Sequence, residues 1–227
     1  MMDKAAFERS LEAPLAFWDT KTAREVEELV GAPAAAMVGF EQHNPHHCYP
    51  LFRHVLHTVA GLPGDAPPEL RAAAFFHDVG KPRCAMWKQG RLVFYGHAAK
   101  SVDLARPALA ALGYSEGEQA LICFYIRHHD DFIPYVLPSE AVGKKNPYLR
   151  PITEETVRAY LAGAAGSGDL FPGHCLRDGV LRLLDLCCAD VSAQSELVYQ
   201  GGKRIDSREH KLEKLRLIRS LVLQTAD

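Results

Sequence analysis

From Leu176 the apolar residues Leu176, Val180, Leu183 and Cys187 follow one another in steps of four, three and four, and the next step of three lands on Asp190. That spacing draws one stripe along an α-helix. A stripe that faces a core calls for leucine at its next position, because an unpartnered carboxylate buried there is costly. The chain must therefore fold so that something meets Asp190. The pattern recurs elsewhere. Leu70, Ala74, His77 and Asp78 share one side of a helix that ends at Gly80, and His54 lies among Leu51, Val55 and Val59. Leu121, Tyr125 and His128, with Ile122, Ile126 and His129 beside them, bring two histidines to the core side of a further helix. Imidazoles and carboxylates from separate helices thus point at one interior, and a divalent cation is the simplest agent that stabilises them together.

Helical spacing dominates the rest of the chain. Helices are expected around 22–30, 50–60, 67–78, 101–113, 115–129, 153–165, 176–195 and 206–224, with Pro107 inside one of them and Gly113 as its C-cap. One strand signal stands out: Met86 and Trp87, then Leu92 to Tyr95, with Lys88-Gln89-Gly90-Arg91 between them, read as a short surface hairpin. The stretches 131–148 and 163–173 read as loops. The expected fold class is all-α, a helical bundle with one short β-hairpin.

Each of these side chains has a plainer reading. A single histidine on an apolar face is more often a hydrogen-bonded core residue than a ligand. Asp190 could pair with Arg182 or Arg177, and His128 and His129 could cap their helix. It is the coincidence on several helices that favours a metal site.

Composition narrows the class. The 227 residues are 48% hydrophobic and 24% charged, as in an ordinary globular protein, and the net charge of −2 gives no bulk attraction to nucleic acid or an anionic membrane. The first residues lack the apolar core of a signal peptide, and the apolar stretch 31–40 is too short to span a bilayer. The six cysteines, Cys48, Cys84, Cys123, Cys175, Cys187 and Cys188, form no CxxC pair, which reads as reduced thiols, a cytoplasmic home and packing rather than nucleophilic roles.

The strings NPHH at 44–47, His54, LRAAAFFHDVGKP at 70–82, FYGHAAKS at 94–101, RHHD at 127–130 and LLDLCCADVSAQS at 183–195 resemble the HD-domain superfamily of metal-dependent phosphohydrolases. In particular they resemble the HD domain that follows the nucleotidyltransferase head of bacterial CCA-adding tRNA nucleotidyltransferases. The likeness runs from about Val38 to the C-terminus. The expected organisation is therefore an HD domain at 38–227 with a helical extension, 1–37, packed on it. Residues 1–37 are too few for a polymerase head, so CCA addition is not expected.

The resemblance implies that His54, His77, Asp78 and Asp190 hold one ion. His97, His128 and His129 would complete a second site, with Asp78 bridging. Manganese, iron, nickel, cobalt or magnesium would serve. The implied activity is phosphate-ester hydrolysis by a metal-activated water, with Asp78 and Lys81 catalytic and Lys81, Arg127 and His47 in contact with substrate. Lys100, His43 and His46 are weaker candidates for the same region. The substrate would be a phosphodiester such as a 2′,3′-cyclic nucleotide or an RNA terminus. Nucleotide phosphomonoesters, deoxynucleoside triphosphates and a non-catalytic tRNA- or protein-binding module are the alternatives.

Overall fold

Capping side chains set where the N-terminal helices begin. Asp3 accepts a hydrogen bond from the Ala6 amide at 2.8 Å and opens α1 (Lys4–Ser10). Pro14 opens α2 (Pro14–Trp18), and Thr22 and Glu25 form a reciprocal capping box on α3 (Ala23–Val30), which the short α4 (Ala32–Ala35) follows. Phe7, Leu11 and Trp18 from this segment are fully buried. Ring centroids of Phe7 and Phe75 lie 5.2 Å apart, edge to face, and Trp18 approaches Phe75 at 5.2 Å and Phe52 at 6.4 Å. Burying a side chain of that size contributes roughly 1.5–3 kcal/mol, so these helices share one core with the helices that carry Phe52 and Phe75.

The computed structural model describes residues 1–137, 140–141, 144–166, 176–200 and 203–225. After the N-terminal segment come α5 (Leu51–Ala60), α6 (Pro68–Phe76), α7 (Lys81–Cys84), the hairpin strands β1 (Met86–Lys88) and β2 (Arg91–Val93), α8 (His97–Leu112) and α9 (Glu116–His128). Then come α10 (Ile133–Val136), β3 (Glu140–Ala141), β4 (Lys144–Lys145), α11 (Glu154–Gly166), α12 (Leu176–Ser192), β5 (Leu197–Gln200), β6 (Lys203–Asp206) and α13 (Ser207–Gln224). Helix α5 packs on α6 and α12, α9 on α6 and α8, and α13 on α12. The apolar stripes meet at the centre: Leu51, Val55 and Val59 of α5, Leu70 and Ala74 of α6, Ile122 and Ile126 of α9, and Val180 and Leu183 of α12 are all buried.

The all-α bundle and the hairpin at β1–β2 are as expected. Its turn is tighter than the four residues anticipated, because Lys88 pairs with Arg91 and only Gln89 and Gly90 lie between, both at positive φ. Two further antiparallel pairs, β3–β4 and β5–β6, occur among the described residues. Helix α8 starts at His97, earlier than its apolar spacing indicated, continues through Pro107 and ends on left-handed Gly113. Within the expected loop 131–148 lie α10, β3 and β4, while residues 138–139 and 142–143 are outside the described residues. Of the expected loop 163–173, residues 163–166 belong to α11 and 167–173 are outside the described residues, as is Cys175. No helix among the described residues is long and apolar enough to cross a membrane.

Candidate metal centre

Five segments bring ligand-type side chains to the middle of the bundle. Helix α5 carries His54, the turn after α6 carries His77 and Asp78, and α8 begins with His97. The end of α9 supplies His129 and Asp130, and α12 supplies Asp190. His54 and His77 are wholly buried, Asp78 is 1% exposed and the Asp190 side chain 14%. His54 Nε2 lies 2.9 Å from Asp190 Oδ1, so the carboxylate on the apolar stripe meets an imidazole. Arg182 is turned instead to Asp65 and Asp185, at 3.1 and 3.4 Å.

Asp78 stands between two groups of side chains. Its Oδ2 faces His54 Nε2 at 3.5 Å and His77 Nε2 at 3.2 Å, while its Oδ1 faces His97 Nε2 at 3.1 Å and His129 Nε2 at 3.6 Å. Three sets of ligand atoms lie close enough together to hold an ion: His54, His77 and Asp190; His77, Asp78 and His129; and His97, His129 and Asp130. Asp130 reaches His97 Nε2 at 3.3 Å and His129 Nε2 at 3.5 Å.

Backbone carbonyls aim the rings. His77 Nδ1 donates to Ala74 O at 2.7 Å, His97 Nδ1 to Phe94 O at 2.8 Å and His129 Nδ1 to Ile126 O at 2.7 Å, each three residues back in the chain. His54 Nδ1 donates to Ala193 O at 3.3 Å. A carbonyl can only accept, so Nε2 of every ring is left facing the cluster. There His54 Nε2, His77 Nε2 and both carboxylate oxygens of Asp78 are buried without a hydrogen bond. Unsatisfied atoms of this kind are costly, and imidazole nitrogens and carboxylate oxygens are the donors that first-row divalent ions take. The residues fit a metal.

Their electrostatics agree. Burial alone would lower His77, but the charges of Asp78 and Asp190 push it up to about 10. Burial likewise opposes protonation of His54 and His129, and the neighbouring carboxylates raise both nonetheless. Burial opposes ionisation of Asp78 and Asp190, yet the histidines, with Lys81 beside Asp78, hold both carboxyls well below the usual range. The cluster demands positive charge.

Lys81 is buried, with Nζ 2.6 Å from Asp78 Oδ2 and donating to Gln42 Oε1 at 3.2 Å. His47 packs its ring edge to face on His54, 5.0 Å between centroids, and lines a cavity beside the cluster. His128 stands apart from the three groups. Its Nδ1 contacts Asp131 Oδ2 at 2.7 Å and its ring lies on Phe124, and it belongs to none of the three ligand groups. Ile122, Ile126 and His129 form one buried stripe at the end of α9, and His128 lies one step around from it, following the buried Phe124 and Tyr125. Arg127, a step further, is exposed and lines no part of the cavity. The residues not anticipated are Asp130, which the RHHD string contained, and Gln42. The Cys187 thiol donates to His129 O at 3.2 Å, and burial pushes it well above its ordinary range, so it has a packing role.

No protein-family model matches the chain. Over 105 residues the chain is 36% identical to the CC-adding tRNA nucleotidyltransferase of Thermus thermophilus, a match that covers 44% of this chain and 24% of that protein. The chain therefore spans about a quarter of that relative's length and is similar to it over less than half of its own.

Proposed function

We propose that the chain is a metal-dependent phosphohydrolase of the HD type, acting as a phosphodiesterase on a nucleotide or an RNA-terminal phosphate. The observation that carries this reading is the buried Asp78, whose two oxygens face two separate sets of imidazoles, with Lys81 also against Oδ2. In this reading His54, His77 and Asp190 hold one ion, and His97, His129 and Asp130 hold a second. Asp78 serves both. When bound, divalent ions supply Lewis acidity toward a phosphoryl oxygen and lower the pKa of water. Lys81 adds a cation next to Asp78 and makes the site attractive to a phosphate. His47 walls the cavity into which the rest of the substrate extends. The partial likeness to a protein named for its action on tRNA supports a nucleotide or RNA as the substrate. A cytoplasmic setting belongs to the same proposal, supported by five free cysteines among the described residues.

Elemental analysis of the purified protein, with turnover of bis-p-nitrophenyl phosphate, 2′,3′-cyclic nucleotides and mononucleotides in the presence of manganese, nickel, cobalt or magnesium, tests the reading. Bound metal and diester hydrolysis are expected, and Asp78→Asn should lose both. Stoichiometric metal with no hydrolysis of any substrate, together with tRNA binding, would make the chain a binding module instead.

A further inference from the structure

Beside the metal centre lies a cavity of about 440 Å³ between residues 44–47, β2, the end of α12 and the start of α13. Its lining combines His129, Asp130 and Asp190 of the cluster with the apolar Phe132, Val136 and Leu215 and with the basic His46, Arg91, His210 and Lys211. Lys211 Nζ donates to the neutral Gln194 side chain at 2.6 Å, and Gln194 Nε2 donates in turn to Asp190 Oδ2 at 3.2 Å. Among the described residues no carboxylate oxygen lies within 4 Å of Lys211, Arg91 or His46. Burial lowers the Lys211 amine against the opposing pull of the Asp190 charge, and burial, then Lys211 and Arg91, hold His46 down at about 4. His46 Nδ1, His47 Nδ1 and His210 Nε2 are buried without hydrogen-bond partners. A half-buried amine and unsatisfied imidazole nitrogens in one cavity form a site built for an anion.

We propose that these basic groups bind a second phosphate on the substrate whose first phosphate lies at the metal centre. The ligand is then a nucleotide phosphorylated on both its 5′ oxygen and its 2′ or 3′ oxygen, as the terminal residue of an RNA is, with its base against Phe132, Val136 and Leu215. The position of the first phosphate rests on the phosphohydrolase reading. The cavity volume falls in the range of small-ligand sites, roughly 300–1,000 Å³, and suits a single nucleotide.

Isothermal titration of the protein as purified with adenosine 3′-phosphate and adenosine 3′,5′-bisphosphate tests the second phosphate alone, because the probes differ only there. The bisphosphate should bind about tenfold more tightly. Lys211→Met and Arg91→Ala should each cut that preference to about threefold or less. Arg91 is exposed, so its variant keeps the test open if the Lys211 variant fails to fold. Equal affinities in the wild type, no binding of either probe, or a preference unchanged in both variants would overturn the proposal. Hydrolysis of bis-p-nitrophenyl phosphate is followed on the same preparations. Preference for the bisphosphate without diester hydrolysis would count against the hydrolase reading only, and diester hydrolysis without that preference against the subsite only. A trinucleotide ending in a 3′-phosphate separates the two sources of such a ligand. Binding at least as tight as the bisphosphate's is expected for an RNA end, and weaker binding would assign a free nucleotide.

Discussion

Gly80, in the turn between the His77-Asp78 pair and α7, has φ −78° and ψ −19°, values open to any residue, so its need for glycine is one of space. A Cβ there would lie 2.5 Å from the His97 carbonyl oxygen, 2.7 Å from the Ser101 amide nitrogen and 2.9 Å from Ser101 Oγ. Two of these three obstacles are main chain, and no rotamer change relieves them. Gly80→Ala must therefore push back the first turn of α8 by about 0.5 Å merely to reach 3.0 Å, a separation still tighter than almost all real contacts. Overpacking of this kind costs roughly 1–3 kcal/mol, which for a chain of this size lowers Tm by about 2–12 °C. His97 is the first residue of α8, and its Nε2 lies 3.1 Å from Asp78 Oδ1, so the same shift pulls one imidazole out of the cluster. Calorimetry and metal analysis on one preparation should show a lower Tm and less bound metal. Ser101→Ala, which removes the hydroxyl that accepts from the Gly80 amide at 2.9 Å but leaves the backbone spacing, should cost about 1 kcal/mol and keep its metal. A Gly80→Ala protein with wild-type Tm and metal content would refute the reasoning.

His97→Ala should lower the metal content, whereas His128→Ala should leave it unchanged; equal losses in the two variants would return His128 to the ligand set. Stability should depend on His46, which burial holds at about 4 in the folded chain against 6.5 when free. The unfolded chain takes up that proton first, so the contribution is full above pH 6.5 and is lost as pH falls toward 4. Urea titrations at pH 7 and pH 5 should give a smaller loss for His46→Asn than for wild type, and identical losses would show that His46 is not the group responsible.

Much of the centre was legible because its residues interrupt apolar helical stripes. Asp190 falls where the α12 stripe calls for leucine, and His54 and His77 lie among residues that the structure buries completely. Asp130 was harder to place because α9 ends at His128. Beyond a helix end the chain leaves the 3.6-residue period, and spacing no longer says which way a side chain points. His128 follows Tyr125 on a neighbouring stripe that is also buried, so the apolar spacing of α9 does not by itself separate His128 from His129. The β5–β6 pair carried its own signal, Gly-Gly between two four-residue runs, which the long helix after it obscured. Lys211 left no trace in spacing, since a lysine on the first turns of a helix is ordinarily solvated and only tertiary packing half-buries this one.

Because His77, His97 and His129 each tether Nδ1 to a carbonyl three residues earlier, their tautomeric state is written into the local main chain. No remote side chain has to be retained to keep the lone pair on Nε2. The surrounding core can therefore drift in sequence while the three rings go on offering the same electron pair in the same direction.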